Sequence, residues 1–223
     1  MERISHRGAK RELPENSVPA FIRAVERGAQ AIELDVHSTR DGEIVVHHDA
    51  TLGQQAGALA GRAINELDWS ELCGVELAPH VGIPTLADAF HAVGRNTTVY
   101  IEIKGTGMEP VLAGLLSASE HRCAVHSFDH SAVARMRRLV PDVDRGILLE
   151  HSTSAVEHDM QDTGARDVWP KWTLIDQRLV DRVHAAGGRV IAWTVNSRRV
   201  ARTLRALGVD AICTDDVRLL ANL

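Results

Sequence analysis

Short apolar segments that read as β-strands alternate with segments of helical periodicity along the whole of this 223-residue chain, and no other feature restricts the fold as much. Strands are predicted at residues 3–5, 31–36, 98–103, 122–126, 143–149, 167–169, 189–195 and 211–214. Helices are predicted between them at 17–27, 86–93, 109–119, 131–139, 155–161, 176–186 and 198–207, with a short one after Asp215. In the first helix Ser17 is placed as N-cap, Pro19 lies in the opening turn, and Phe21, Ala24 and Val25 form an apolar face that stops at Gly28. Strict alternation of strand and helix implies a parallel sheet covered by helices, and eight units imply closure into a (β/α)8 (TIM) barrel formed by residues 1–223 as one domain. A doubly wound open sheet is the alternative, because the sixth strand is short and weak.

One stretch breaks the rhythm. Residues 43–48 read as an extra short strand after the Asp41-Gly42 turn, and about 35 residues then pass before the next helix. Residues 51–58 are small, polar and glycine-rich, as expected of a mobile loop, and residues 64–72 are expected to form a short amphipathic helix. Residues 50–83 are therefore an expected insertion between the second strand and the second barrel helix, at the end of a barrel where catalytic groups collect.

Three carboxylates lie inside segments that are otherwise apolar strands. Alternation puts Glu33 and Asp35 on one face of 31–36, opposite Ile32, Leu34 and Val36, and puts Glu102 with Lys104 opposite Ile101 and Ile103. An isolated ionised carboxylate in a dry interior is too costly to keep, so such groups pair with cations or coordinate metal. Both readings are open from the residues alone; three hard oxygen donors together would suit Mg2+ or Ca2+. The remaining chemistry also falls at strand ends. Arg7 follows the first strand and offers a planar fork of donors for a phosphate or carboxylate, and Gly8 permits a sharp turn beside it. His6 and His48 form a candidate acid and base. His47 is sent to the other face by alternation, and His37, His80, His91, His121 and His184 are expected to be hydrogen-bonded structural residues.

Composition narrows the classes. With 25 Lys plus Arg against 30 Asp plus Glu, the formal charge is −5, and no basic footprint for nucleic acid is evident. No run of about 18 apolar residues exists to span a membrane. The chain enters its first strand without a secretory-type leader, so a cytoplasmic location is expected. Cys73, Cys123 and Cys213 are far apart and are expected to be buried thiols.

The run His6-Arg7-Gly8, Pro14-Glu15-Asn16-Ser17, Ile32-Glu33-Leu34-Asp35-Val36, Thr39-Arg40-Asp41-Gly42 and Val45-Val46-His47-His48-Asp49 resembles the signature of the glycerophosphodiester phosphodiesterase family. Further matches are Ile101-Glu102-Ile103-Lys104, Ser127-Phe128-Asp129, Trp193-Thr194-Val195-Asn196 and the segment ending in Thr214-Asp215. The resemblance implies a barrel that hydrolyses glycerophosphodiesters to sn-glycerol 3-phosphate and an alcohol. By that similarity Glu33, Asp35 and Glu102 hold a divalent cation, Mg2+ or Ca2+, and His6 and His48 are the acid/base pair. It further implies phosphate contacts from Arg7 and Lys104, a site acid in Glu15, and pocket walls in Phe128 and Trp193. After Asp49 the chain departs from the family pattern, because the arginine and threonines usual in that loop are replaced by Gly53-Gln54-Gln55-Ala56. A lysophospholipase D on the same barrel and a non-catalytic binding barrel are the alternative readings.

Overall fold

In the computed structural model, which describes residues 1–223, eight parallel strands close on themselves. They are β1 (Glu2–His6), β2 (Ala31–Ser38), β3 (Thr98–Ile103), β4 (Cys123–Ser127), β5 (Asp144–Leu149), β6 (Asp167–Pro170), β7 (Arg189–Ala192) and β8 (Ala211–Thr214). Each strand pairs in parallel with the next, and β8 returns to β1 with Ser5 opposite Thr214. The weak sixth strand is the decisive one. Although only four residues long, β6 is bonded to β5 on one side and to β7 on the other, so the sheet has no free edge and the open-sheet alternative is excluded.

Helices α1 (Val18–Glu26), α2 (Leu86–Val93), α3 (Glu109–Ser117), α4 (His130–Leu139), α5 (Val156–Thr163), α6 (Gln177–Ala185) and α7 (Arg198–Ala206) cover the outside. After β8 the chain forms only a 3-10 turn, Val217–Leu220, where a short helix was expected. The first helix is capped as its sequence predicts, Ser17 Oγ accepting from the Ala20 amide. Apolar residues divide accordingly. Ile32, Leu34, Val36, Ile101 and Ile103 face out to the helices, whereas Ile4, Ala31, Tyr100, Ala124, Leu148 and Trp169 fill the barrel interior. No helix is long and apolar enough to cross a membrane.

The extra strand is present as Ile44–Val46, antiparallel to the far end of β2 with Val36 opposite Val46. Beyond it the chain folds against a small core of its own, including Leu52, Ile64, Leu67, Leu72 and Val75. The amphipathic helix expected over 64–72 is instead two pieces, a 3-10 turn Ile64–Glu66 and a helical turn Trp69–Leu72. They are separated because Asp68 takes up an extended N-cap geometry and forms a capping box with Glu71. Cys73 ends that turn and is exposed, contrary to expectation, because Leu72 takes the inward position; Cys123 is half-buried and Cys213 is buried.

The turn after β1 is tight. Arg7 has φ +57° and Gly8 φ +79°, and a Cβ on Gly8 would lie 2.8 Å from the Ala20 carbonyl carbon. Positive φ and a backbone clash combine here, so Gly8→Ala is expected to destabilise the fold by roughly 2 kcal/mol or more. Chemical denaturation of the two proteins side by side measures this as a lower midpoint with an unchanged slope.

Candidate active site

Barrel closure gathers the polar residues at the C-terminal ends of the strands. His6 is opposite Glu33 across the β1/β2 pairing, Asp35 is opposite Glu102 across β2/β3, and Glu102 is opposite His126 across β3/β4. One cavity of about 230 Å3 lies above this row, and His6, Arg7, Glu33, His48, Glu102 and Lys104 all line it. Phe128 and Trp193 form one wall with ring centroids 5.4 Å apart, edge to face. Phe128 is 44 % exposed, so it is a rim residue and not a core aromatic.

Two of the expected residues stand behind the cavity. Asp35 is fully buried: its Oδ2 accepts from the Asn16 side-chain amide at 2.9 Å and lies 2.9 Å from Arg7 Nε, while its Oδ1 has no hydrogen-bond partner and is 3.7 Å from Lys104 Nζ. Glu15 accepts from Arg7 Nη1 at 2.9 Å and is ion-paired with Lys10, so it holds Arg7 from outside. The left-handed turn at Arg7 brings its guanidinium between these two acids. Lys104 Nζ donates to Glu102 Oε1 at 3.0 Å.

The electrostatics are those of acids crowded in a dry place. Burial and the neighbouring charges of Asp35 and Glu102 hold the Glu33 carboxyl well above the usual carboxylate range. Burial and Asp35 push Glu102 up to about 7. Burial would raise Asp35 as well, but the Arg7 guanidinium and the Asn16 amide outweigh it and keep this acid low. Such a set fits a divalent cation: oxygens of Glu33 and Glu102 lie within 4.8 Å of each other and of a His126 ring nitrogen. Asp35, expected as the third ligand, is not part of that group; its unpartnered Oδ1 is buried behind it, 3.7 Å from Lys104 Nζ.

Both candidate proton-transfer groups have a carboxylate behind them. His6 Nδ1 is 2.7 Å from Asp215 Oδ1, and His48 Nδ1 is 2.7 Å from Asp49 Oδ1. Although burial opposes it, the bond to His6 brings Asp215 down to about 2, so this carboxylate is ionised and can only accept. The His6 proton is therefore on Nδ1, and its Nε2 presents a lone pair on the side of Glu33, 3.9 Å from Oε2. Burial keeps the ring neutral by lowering its pKa, against the opposing pull of Asp215. His48 is half-exposed at the rim. His47 faces away, as alternation predicts, its Nδ1 bonded to the Asp49 carbonyl, and His37 is a structural residue that contacts the His48 carbonyl from Nε2 at 3.2 Å.

Residues 6–219 match the family model described as the glycerophosphoryl diester phosphodiesterase family. The chain belongs to that family. It is 32% identical to the glycerophosphodiester phosphodiesterase of Caldanaerobacter subterraneus subsp. tengcongensis, over 99% of this chain and 96% of the relative. It is 29% identical to one from Bacillus altitudinis, over 95% and 93%. Among solved structures it superposes on an Oleispira antarctica phosphodiesterase in complex with the product sn-glycerol-3-phosphate, with a TM-score of 0.90, 23% identity and coverage of 99% and 96%. A Thermotoga maritima glycerophosphodiester phosphodiesterase gives a TM-score of 0.83 at 24% identity, covering 98% and 96%. At such identities these structures speak to the fold.

Three side chains of this glycerophosphodiester phosphodiesterase that touch the expected set were not foreseen as site residues. Asn16 ties Asp35 to the loop after β1. Asp215 backs His6 and is itself held by Asn196, which donates to its Oδ2 at 2.7 Å and accepts from its amide at 3.0 Å. His126 is on the barrel floor beside Glu33. Each had a signal: Asn16 and Asp215 lie within the motif runs that carry the resemblance but were given no role there, and His126 shares inward parity with Ala124 near the end of a strand.

Proposed function

We propose that this phosphodiesterase hydrolyses glycerophosphodiesters to sn-glycerol 3-phosphate and an alcohol by proton transfer through His6 and His48 with a divalent cation at Glu33, Asp35 and Glu102. The supporting observation is the single cavity that brings both histidines, two of the acids and the cations Arg7 and Lys104 to one place. The Oleispira relative's bound product is consistent with glycerol phosphate as the retained half. A bound cation supplies Lewis-acid neutralisation of phosphate oxygens. Arg7, planar and braced by Glu15 and Asp35, meets one edge of the phosphate, and Lys104 adds a point charge from the next strand.

His6 is poised as the base: its neutral Nε2 takes the proton of the attacking oxygen, whether of water or of the glycerol 2-hydroxyl by way of a cyclic phosphate that water then opens, and the imidazolium so formed is stabilised by Asp215. His48, hydrogen-bonded to Asp49 through Nδ1 at the rim of the cavity, gives a proton to the departing alkoxide. Phe128 and Trp193 shield one side of the substrate from water.

The test is a panel of glycerophosphodiesters and lysophospholipids assayed for released glycerol 3-phosphate. Turnover of the former is the expected result; turnover of lysophospholipids alone would replace the reading with a lysophospholipase activity, and none at all would favour a binding barrel. A finer prediction concerns Asp215. Asp215→Asn presents an amide that can favour the wrong His6 tautomer, so kcat is expected to fall by up to about two orders of magnitude, the lower part of what a general base contributes. KM should stay within a small factor, because Asp215 is behind the histidine and not against the substrate; an equal loss in KM would point to a collapsed site.

A further inference from the structure

The expected ion ligands are all carboxylates, which suits Mg2+ or Ca2+, but the folded barrel adds an imidazole. His126 is one strand over from Glu102 and in register with it. Its side chain is 2% exposed and its ring lies flat on Trp169, 4.4 Å between centroids and 10° between planes, with Tyr100 edge-on at 6.4 Å. Neither ring nitrogen is hydrogen-bonded: Nδ1 is sealed without a partner, and Nε2 lies 3.9 Å from Glu33 Oε1.

An unpartnered polar group in such a place costs free energy that a phenylalanine, equally able to stack on Trp169, would avoid. What a phenylalanine could not provide is a nitrogen lone pair within 4.8 Å of oxygens from Glu33 and Glu102. The aromatic stack fixes the ring, a role that a hydrogen bond from the second nitrogen commonly serves at metal sites.

Resting on the metal-dependent reading above, we propose that His126 is a ligand of the ion held by Glu33 and Glu102, and that its nitrogen turns the preference of the site from Mg2+ and Ca2+ toward Mn2+ and Co2+. Mg2+ and Ca2+ seek oxygen, whereas imidazole suits first-row transition ions, and the first-row series binds a mixed nitrogen and oxygen set more tightly as it advances from Mn2+ to Co2+.

The experiment is calorimetric titration of the metal-free protein with Mn2+, Co2+, Mg2+ and Ca2+, alongside His126→Gln and Glu102→Gln, and pulsed EPR of the Mn2+-loaded proteins. Expected results are Mn2+ and Co2+ bound at least about tenfold more tightly than Mg2+, a loss of about tenfold or more in Mn2+ and Co2+ affinity in His126→Gln with Ca2+ affinity little changed, and nitrogen hyperfine coupling in wild type that disappears in the variant. The wild-type spectrum stands alone if His126→Gln does not fold: absence of nitrogen coupling overturns the proposal. So does coupling that is lost in His6→Gln and kept in His126→Gln, or an equal loss of affinity for all four ions in His126→Gln. If Glu102→Gln abolishes binding while His126→Gln matches wild type, only the role of His126 fails. If no divalent ion binds the wild-type protein, the metal-dependent reading fails with it.

Discussion

His6→Ala should lower kcat by about two to four orders of magnitude, and His48→Ala by a comparable amount, because each removes a group that carries a proton in the transition state. His6 has the stronger physical case. Its ring is half-buried and held neutral, its Nδ1 is pinned by an ionised carboxylate, and its free nitrogen faces the cavity. Such a base is pre-oriented and needs no rearrangement before reaction, so its loss is felt mainly in kcat. His48 is half-exposed and its partner Asp49 more exposed still, so small amines or imidazole supplied in solution should restore part of the activity of His48→Ala and less of His6→Ala. Steady-state kinetics with and without added imidazole measures both effects. Near wild-type rates in both variants would end the proton-transfer assignment.

Removing the cation, by chelation or by Glu102→Gln, should lower turnover at least about a hundredfold, since several kcal/mol of charge neutralisation is lost. Activity should return when a divalent ion is restored to the chelated wild type, but not to Glu102→Gln. The same acid leaves a mark on stability. Burial and the neighbouring Asp35 push its carboxyl up to about 7 from an ordinary value of about 4.5, so between those values the metal-free folded protein holds a proton that the unfolded chain has released. Stability from this group is therefore present below about 4.5 and falls as pH rises through about 7. Glu33, raised for the same reasons, acts in the same direction. His6, lowered by burial, acts in the opposite one, its folded form binding fewer protons below 6.5. The difference in Tm between metal-free wild type and Glu102→Gln isolates the acid: Glu102→Gln should gain on wild type as pH rises, and a bound divalent ion should erase that gain. A flat difference across the window would mean that Glu102 is not under the electrostatic load its surroundings describe.

The strand and helix rhythm was legible because period two and period 3.6 are local properties, and predicted strands at 98–103 and 211–214 coincide with β3 and β8. The insertion was less legible. Residues 64–72 carry a helical pattern, yet Asp68 starts a new cap in the middle of it, and Leu52 and Ile64 fold into a small core that no periodicity announces. Glu33 and Asp35 illustrate the same limit within the site. They share a face by parity, but Glu33 reaches the cavity while Asp35 is drawn back by Arg7 and Asn16.

What the sequence determined by itself, then, is which residues are polar in apolar strands, which face each takes, and where strand ends collect Arg7, His6, His48, Glu102 and Lys104. These follow from alternation along one segment and need no neighbour. What only the tertiary structure decided is who stands beside whom. His6 and Asp215 are 209 residues apart and meet because β8 closes the barrel against β1 with Thr214 opposite Ser5. His126 joins the acids because the stagger of β4 on β3 puts it level with Glu102. Register and closure are set by the summed packing of the whole sheet, which no single segment encodes.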